Sequence, residues 1–247
     1  MIRVAVVGAS GRMGTEACAA VGAADDLELV AALGSSDDPA RLAGADVAVD
    51  LTRPDAVLGT LERALGLGVP AVVVGTSGMT GERLDAVRAL LDRHPAASVL
   101  VVPNFSVGAV LLTRFAAQAA RFYESVEIVE LHHPGKLDAP SGTARRTAQL
   151  VAQARREAGL GELPDATVDD PDGARGARVD GIPVHAVRLR GMVASEEVLL
   201  GAPGEALTLR HDSFDRASFM PGLLLAVRRV RERPGLTVGL EAYLDLG

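Results

Sequence analysis

Ile2-Arg-Val-Ala-Val-Val7, running straight into Gly8-Ala9-Ser10-Gly11-Arg12-Met13-Gly14, decides the fold. A short apolar run broken only by Arg3 reads as a buried strand, and the three-and-four spacing of apolar residues from Arg12 to Gly22 reads as a helix. Between them the chain must turn sharply at Gly8. It must approach a ligand at Gly11 with no Cβ in the way, and pack helix against sheet at Gly14. Free N–H groups and about half a positive charge at the helix start then face a phosphate. The spacing is GxxGxxG, a variant of the dinucleotide-binding GxGxxG, and its place between a first strand and a first helix gives it weight.

Working outward, strands are expected at Leu27 to Leu33, Asp46 to Leu51, Ala71 to Val74 and Val99 to Val102, with helices at Asp55 to Leu67 and Thr80 to Asp92. Strands alternating with helices spell a doubly wound parallel sheet. After Asn104 the pattern changes. A helix from Val107 to Phe122, a strand from Val126 to Leu131 and a helix from Thr143 to Ala158 lead into a Pro-, Gly- and Asp-rich loop, 159–181. Three alternating strands follow, Ile182 to Arg190, Glu197 to Leu200 and Ala206 to His211, with a hairpin signal at Pro203-Gly204. This predicts a second, α+β domain on a mostly antiparallel sheet. A last helix, Phe219 to Arg231, and a short tail are expected to return to the first domain. The division is therefore 1–106 completed by 216–247, and 107–215, with hinges near Asn104 to Gly108 and Asp212 to Ser218.

Composition limits the partners. A net charge of −7 argues against nucleic-acid binding, which rests on neutralising phosphates. Arg228, Arg229, Arg231 and Arg233 fall on a helical pattern with Leu224, Leu225, Val227 and Val230, and read as a solvated face. No apolar stretch approaches the roughly 20 residues of a membrane span, and no signal peptide is legible, so a cytoplasmic location is expected. The single Cys18 sits among alanines and reads as a packing residue of a reducing compartment.

The nucleotide's identity is open at this level. An acid that grips the adenosine ribose of NAD is expected at the end of the second strand, where Gly34-Ser35-Ser36 stands instead. Asp37 and Asp38 follow slightly late, and Arg12 and Arg41 are available for a 2′-phosphate, so both NADH and NADPH stand as cofactors.

The densest chemistry lies in Glu130-Leu-His-His-Pro-Gly-Lys-Leu-Asp-Ala-Pro-Ser-Gly-Thr-Ala144. A histidine side chain ordinarily titrates near pH ~6.5, so either His132 or His133 can exchange protons, and a lysine ordinarily titrates near ~10.4, which makes Lys136 a candidate cation and proton donor. Ser141, Gly142 and Thr143 open a helix with hydroxyls and N–H groups, which suits a carboxylate; a plain N-cap at Ser141 is compatible with that. Isolated His94, His185 and His211 read as structural. No Cys or third His stands at zinc-ligand spacing, so no metal is expected.

These residues resemble the 4-hydroxy-tetrahydrodipicolinate reductase family. The likeness runs through Val7-Gly-Ala-Ser-Gly-Arg-Met-Gly14, Asp50-Leu-Thr-Arg-Pro54, Val74-Gly-Thr-Ser-Gly78, Pro103-Asn-Phe-Ser-Val-Gly108, the Glu130 to Ala144 segment, Arg210-His-Asp-Ser213 and Phe219-Met-Pro-Gly222, in family order and across nearly the whole chain. The resemblance implies that Gly8, Ala9, Ser10, Gly11, Arg12 and Met13 line the pyrophosphate. It implies that Gly75, Thr76 and Ser77, with Val102, Pro103, Asn104 and Phe105, contact the nicotinamide side. It also implies that His132 is the acid/base residue, that Lys136 is the proton donor, and that His133, Gly142 and Thr143 bind the carboxylates of a cyclic diacid with Lys136 and Ser141 nearby. The implied reaction is hydride transfer to C4 of that ring with loss of water, in the diaminopimelate route to lysine, by a homotetramer built on the strands from Ile182 to His211. Three positions depart from the family: Ser77 where a second Thr is common, Gly135 in place of a bulkier residue, and Gly34 in place of the acid. Two rivals stand beside this reading, a different small-substrate dehydrogenase on the same fold and a non-catalytic nicotinamide sensor. The His-His-x-x-Lys segment distinguishes the resemblance from both.

Overall fold

Short runs buried on both faces build the first sheet of the computed structural model, which describes residues 1–245. β1 (Ile2–Val7), β2 (Leu27–Leu33), β3 (Val47–Asp50), β4 (Ala71–Val74) and β5 (Ser98–Val101) are parallel, and every residue of β3, β4 and β5 is buried. That pattern belongs to a sheet covered on both sides. α1 (Arg12–Gly22), α2 (Val57–Gly66) and α3 (Gly81–Asp92) are the crossovers, with Leu61, Ala64, Val87 and Leu90 packed into the same core as Val72, Val74 and Val99. Burying a side chain of this size contributes about 1.5–3 kcal/mol each.

The end of the chain completes this sheet. The helix expected from Phe219 to Arg231 is α6 (Met220–Arg229) between 3-10 turns at Arg216–Phe219 and Val230–Glu232. The tail beyond it carries a strand the sequence reading did not foresee, β11 (Gly235–Val238), parallel to β5. The sheet order is β11-β5-β4-β3-β1-β2, so the doubly wound reading holds with one strand more. Residues 246 and 247, included in the expected return segment, lie outside the described residues.

The second sheet uses β6 (Ser125–His132), β7 (Ala177–Val179), β8 (Ile182–Arg188), β9 (Ala194–Ala202) and β10 (Glu205–Ser213) in the order β10-β9-β6-β8-β7. All neighbours are antiparallel except β6 and β8. α4 (Val107–Ala119) and α5 (Gly142–Glu157) cover one face, where Leu112, Ala116, Ala148 and Val151 meet Val126, Ile128, Val184, Val198 and Leu200. Three expectations are corrected here. β7 lies inside the stretch read as a loop. The first long helix stops at Ala119, where the chain closes in a turn with Phe122 N–H on the Ala119 carbonyl, and the carbonyls of Tyr123 and Glu124 then receive the buried Arg155 guanidinium. β9 and β10 are each nine residues, longer than expected, because their ends beyond the apolar run pair across the ladder. By contacts the chain gathers into two units, Met1–Val107 with the chain from Arg216 onward, and Gly108–Asp215. No helix among the described residues is long and apolar enough to cross a membrane.

Candidate active site

The nucleotide candidates share one edge of the first sheet. Leu33, Val7, Asp50, Val74, Val101 and Val238 are register partners in turn, and all are strand-terminal. The chain leaves this row as Gly8 to Met13 after β1, Gly75 to Ser77 after β4 and Val102 to Phe105 after β5, beside the switch point where β1 sends its neighbours to opposite sides. Gly8 adopts φ +83°, and a Cβ on Gly14 would stand 2.1 Å from the Gly8 carbonyl oxygen. The turn thus requires both glycines. Gly11 is the N-cap of α1 and contributes no side-chain cap, so the first-turn N–H groups remain for a ligand. A backbone cradle that a Cβ would fill, at a helix start without a protein cap, fits the pyrophosphate of a dinucleotide.

Asp50 organises the neighbouring loops, a role the sequence reading did not assign. It is fully buried at the end of β3 and accepts hydrogen bonds from Thr52 N at 3.1 Å, Thr52 Oγ1 at 2.8 Å and Thr76 Oγ1 at 2.5 Å. The Thr76 hydroxyl is therefore engaged inside the protein. Gly75 lies against the ring of Phe105, where a Cβ would approach to 2.4 Å. Val102 N bonds the Val74 carbonyl at 2.8 Å, and Asn104 Oδ1 accepts from Ser106 N at 2.8 Å, which fixes the second turn, with Pro103 exposed at its tip.

The acid missing from position 34 returns from further along the chain. Asp37 Oδ2 accepts from Gly34 N at 2.7 Å, and its other oxygen pairs with Arg41 at 3.0 Å. A carboxylate and a guanidinium thus both stand at the end of β2, near Ser10.

The proton-handling candidates gather in the second unit, where β6 ends and α5 begins. His132 is the last residue of β6, and Ser141 is the N-cap of α5. Glu130 joins them: Oε2 receives Nδ1–H of His132 at 2.5 Å, and Oε1 receives Ser141 N–H at 3.1 Å. Arg188 of β8, the register partner of His132, forks onto both Glu130 oxygens at 2.8 and 2.9 Å and donates to the Asp138 carbonyl at 2.7 Å. Lys136 Nζ pairs with Asp138 Oδ1 at 2.8 Å. One connected network therefore brings His132, Lys136 and Ser141 together, with His133 joined to it by the Lys136 N–H on its carbonyl.

Two of these residues have no role in the sequence reading. Glu130 opens the 130–144 segment with no part of its own in the pattern, and Arg188 lies outside the segment. A signal existed for Glu130: it falls in phase with buried Val126 and Ile128, so it points into the protein. The Ser141 oxygen accepts Ala144 N–H at 3.1 Å and its N–H goes to Glu130, so only its hydroxyl proton remains to offer an anion. His185 bonds Glu127 at 2.7 Å, and the His211 ring packs where a Gly108 Cβ would stand.

Electrostatics divide the labour. Burial acts to raise the Glu130 carboxyl, but the Arg188 fork and His132 outweigh it and hold it below its ordinary value. Burial pushes the His132 imidazole down, with Glu130 only partly opposing, so at neutral pH His132 is uncharged. Its Nδ1–H is committed to Glu130, which leaves the Nε2 lone pair as an acceptor. Asp138 is held low, against burial, chiefly by Lys136, with Gly142 N–H contributing. That carboxylate occupies the ground where a substrate carboxylate would meet Lys136 and the α5 start.

Both units match known proteins. Residues 2–105 match the family model described as dihydrodipicolinate reductase, N-terminus, and residues 108–244 match its C-terminus. The 4-hydroxy-tetrahydrodipicolinate reductase of Streptomyces coelicolor is 62% identical over 99% of this chain and 98% of its own length. The dipicolinate-bound dihydrodipicolinate reductase of Paenisporosarcina sp. TG-14 superposes with a TM-score of 0.84 at 39% identity, covering 99% of this chain and 100% of that one. The apo scyllo-inositol dehydrogenase of Lactobacillus casei, at 12% identity and a TM-score of 0.61 over 99% and 92% of the two chains, shares the fold alone. Matched in both halves and along the full length of its relatives, the chain belongs to the dihydrodipicolinate reductase family.

Proposed function

We propose that this chain reduces 4-hydroxy-tetrahydrodipicolinate to tetrahydrodipicolinate with NADH or NADPH, in the diaminopimelate route to lysine. The observation that carries this reading is the Glu130–Arg188 network, which gathers a neutral imidazole, a lysine cation and a helix start at one strand end, in a chain 62% identical to a named reductase. In the reaction the 4-hydroxyl leaves with a neighbouring ring hydrogen as water, and one hydride and one proton add to the ring. The reduced nicotinamide supplies the hydride when bound, and Gly8 to Met13, Gly75 to Ser77 and Val102 to Phe105 are the residues that would hold the dinucleotide. Lys136, oriented by Asp138, delivers the proton, and His132, uncharged at neutral pH, is the acid/base residue beside it with Nε2 free to accept. The diacid's carboxylates take the N–H groups of Gly142 and Thr143, the Ser141 hydroxyl, His133 and Lys136, displacing Asp138 from the helix start.

The test is product identity. Substrate generated in place by a synthase from pyruvate and aspartate semialdehyde should yield one tetrahydrodipicolinate for each nicotinamide oxidised, with competition by dipicolinate. Nucleotide binding without turnover would favour a sensor.

A homotetramer is proposed on the sheet face opposite the helices, which leaves Val129, Leu131 and Val187 partly exposed and Leu199 exposed. A monomer in light scattering would contradict it. The biosynthetic reaction is assigned to the cytoplasm.

A further inference from the structure

Behind the His132–Glu130 pair lies a second buried carboxyl that the proposed reaction does not use. Glu196 of β9 is the register partner of Glu130 on one side and of His211 on the other, so the three side chains form a row across the ladder on its helix-covered face. Opposed residues of an antiparallel pair hold their Cβ atoms about 4.5–5.5 Å apart. Glu130 is 0% exposed and Glu196 5%, and two carboxyl groups so placed out of water resist ionising together, so one loses its proton well before the other. Their partners decide which takes the charge. Glu130 has the Arg188 fork, the His132 N–H and the Ser141 N–H. Glu196 has the Thr147 hydroxyl, itself bonded to Thr113 of α4 at 2.9 Å, while its Oε1 is buried with no partner.

We propose that Glu196 is a positioning residue for the chemistry at His132: a carboxyl beside Glu130 that, while it holds its proton, leaves the row's single negative charge on Glu130, where it orients the imidazole. The groups that face Glu196 are Glu130 from β6, His211 from β10 and Thr147 from α5, with Thr113 of α4 behind Thr147. Burial holds His211 below its usual value, so it faces the row as a neutral ring near pH 7. Burial, joined by the charge of Glu130 and opposed by Thr147, pushes Glu196 up to about 7. Its ionisation would place a second negative charge in the row, turn Glu130's environment repulsive and loosen its hold on Nδ1.

This rests on His132 being a site residue, so the test reads the His132 ring directly as well as turnover. Imidazole resonances of His132 are followed by NMR from pH 5 to 9 in wild type, Glu196→Gln and Glu196→Asp, alongside kcat. In wild type the resonance should show its own titration and a second inflection near pH 7, with kcat declining through that inflection. Glu196→Gln keeps size and a neutral amide. It should lose both the inflection and the decline, while kcat at pH 6 stays within about threefold. Glu196→Asp should retain an inflection but displace it, which separates charge from shape should Glu196→Gln fold poorly. Superimposable His132 curves in wild type and variants, or a wild-type curve with no second inflection, would overturn the proposal. Absence of turnover with the inflection present would instead count against the reductase reading.

Discussion

Nδ1 of His132 and Oε2 of Glu130 lie 2.5 Å apart, on residues two positions apart on the same face of one strand. The contact orients the ring and links the end of β6 to the start of α5, because the other Glu130 oxygen receives the Ser141 N–H. The same carboxylate anchors Arg188, so a single residue serves both folding and chemistry.

Removing that charge should cost both. Glu130→Gln leaves a partly buried guanidinium without its counter-ion and should destabilise the protein by about 3 kcal/mol, the low end for a broken buried pair, since Arg188 keeps a water-facing edge. Its kcat should fall by about a hundredfold or more as the imidazole loses its tautomer. Denaturant melts of Glu130→Gln, Arg188→Met and the double variant separate the two effects: the double variant should regain stability without regaining turnover. Recovery of both would contradict the orienting role.

Acid should weaken the fold through His132 before it reaches the carboxylates. In the unfolded chain this ring titrates near ~6.5, and in the fold it titrates lower because burial penalises the cation. As pH falls the unfolded chain takes the proton first, so the contribution is complete above pH ~6.5 and is lost as pH drops through the folded value. Glu130 and Asp138, also held low, lose theirs only below the ordinary carboxylate range of pH ~4. His132→Gln should therefore lose less Tm than wild type between pH 7.5 and 5.5. Equal losses would show that another group dominates that window.

Asp37 should set the balance between the two nucleotides. It holds Gly34 N–H and Arg41 at the place where a ribose 2′ substituent is read. Asp37→Ala frees both donors and should shift the ratio of Kd values toward NADPH by about tenfold, or about 1.4 kcal/mol. Fluorescence titration with NADH and NADPH measures this, and an unchanged ratio would remove Asp37 from nucleotide selection.

Much of this was legible in the sequence, for definite reasons. β4 is an uninterrupted apolar run, β1 is one broken only by Arg3, and α1 keeps a helical period from a glycine start, so their limits stand as expected. β11 is four residues between Pro234 and Gly239, too short to show any period, and β7 is three residues with two exposed. Fold-wide pairing is also invisible to local pattern: Arg188 meets Glu130 across 58 residues, and Asp37 reaches back to Gly34 through a turn. Glu196 carried a readable sign, standing in phase with buried Val198 and Leu200 where an outward-facing glutamate would be out of phase.

The most direct measurement is turnover of the synthase-generated substrate by wild type and Lys136→Ala, with nucleotide affinity determined on the same samples. Lys136 as proton donor predicts a kcat lower by about a hundredfold or more in the variant, with the nucleotide Kd unchanged. Variant turnover near the wild-type rate would contradict that role and move proton delivery away from the Lys136–Asp138 pair.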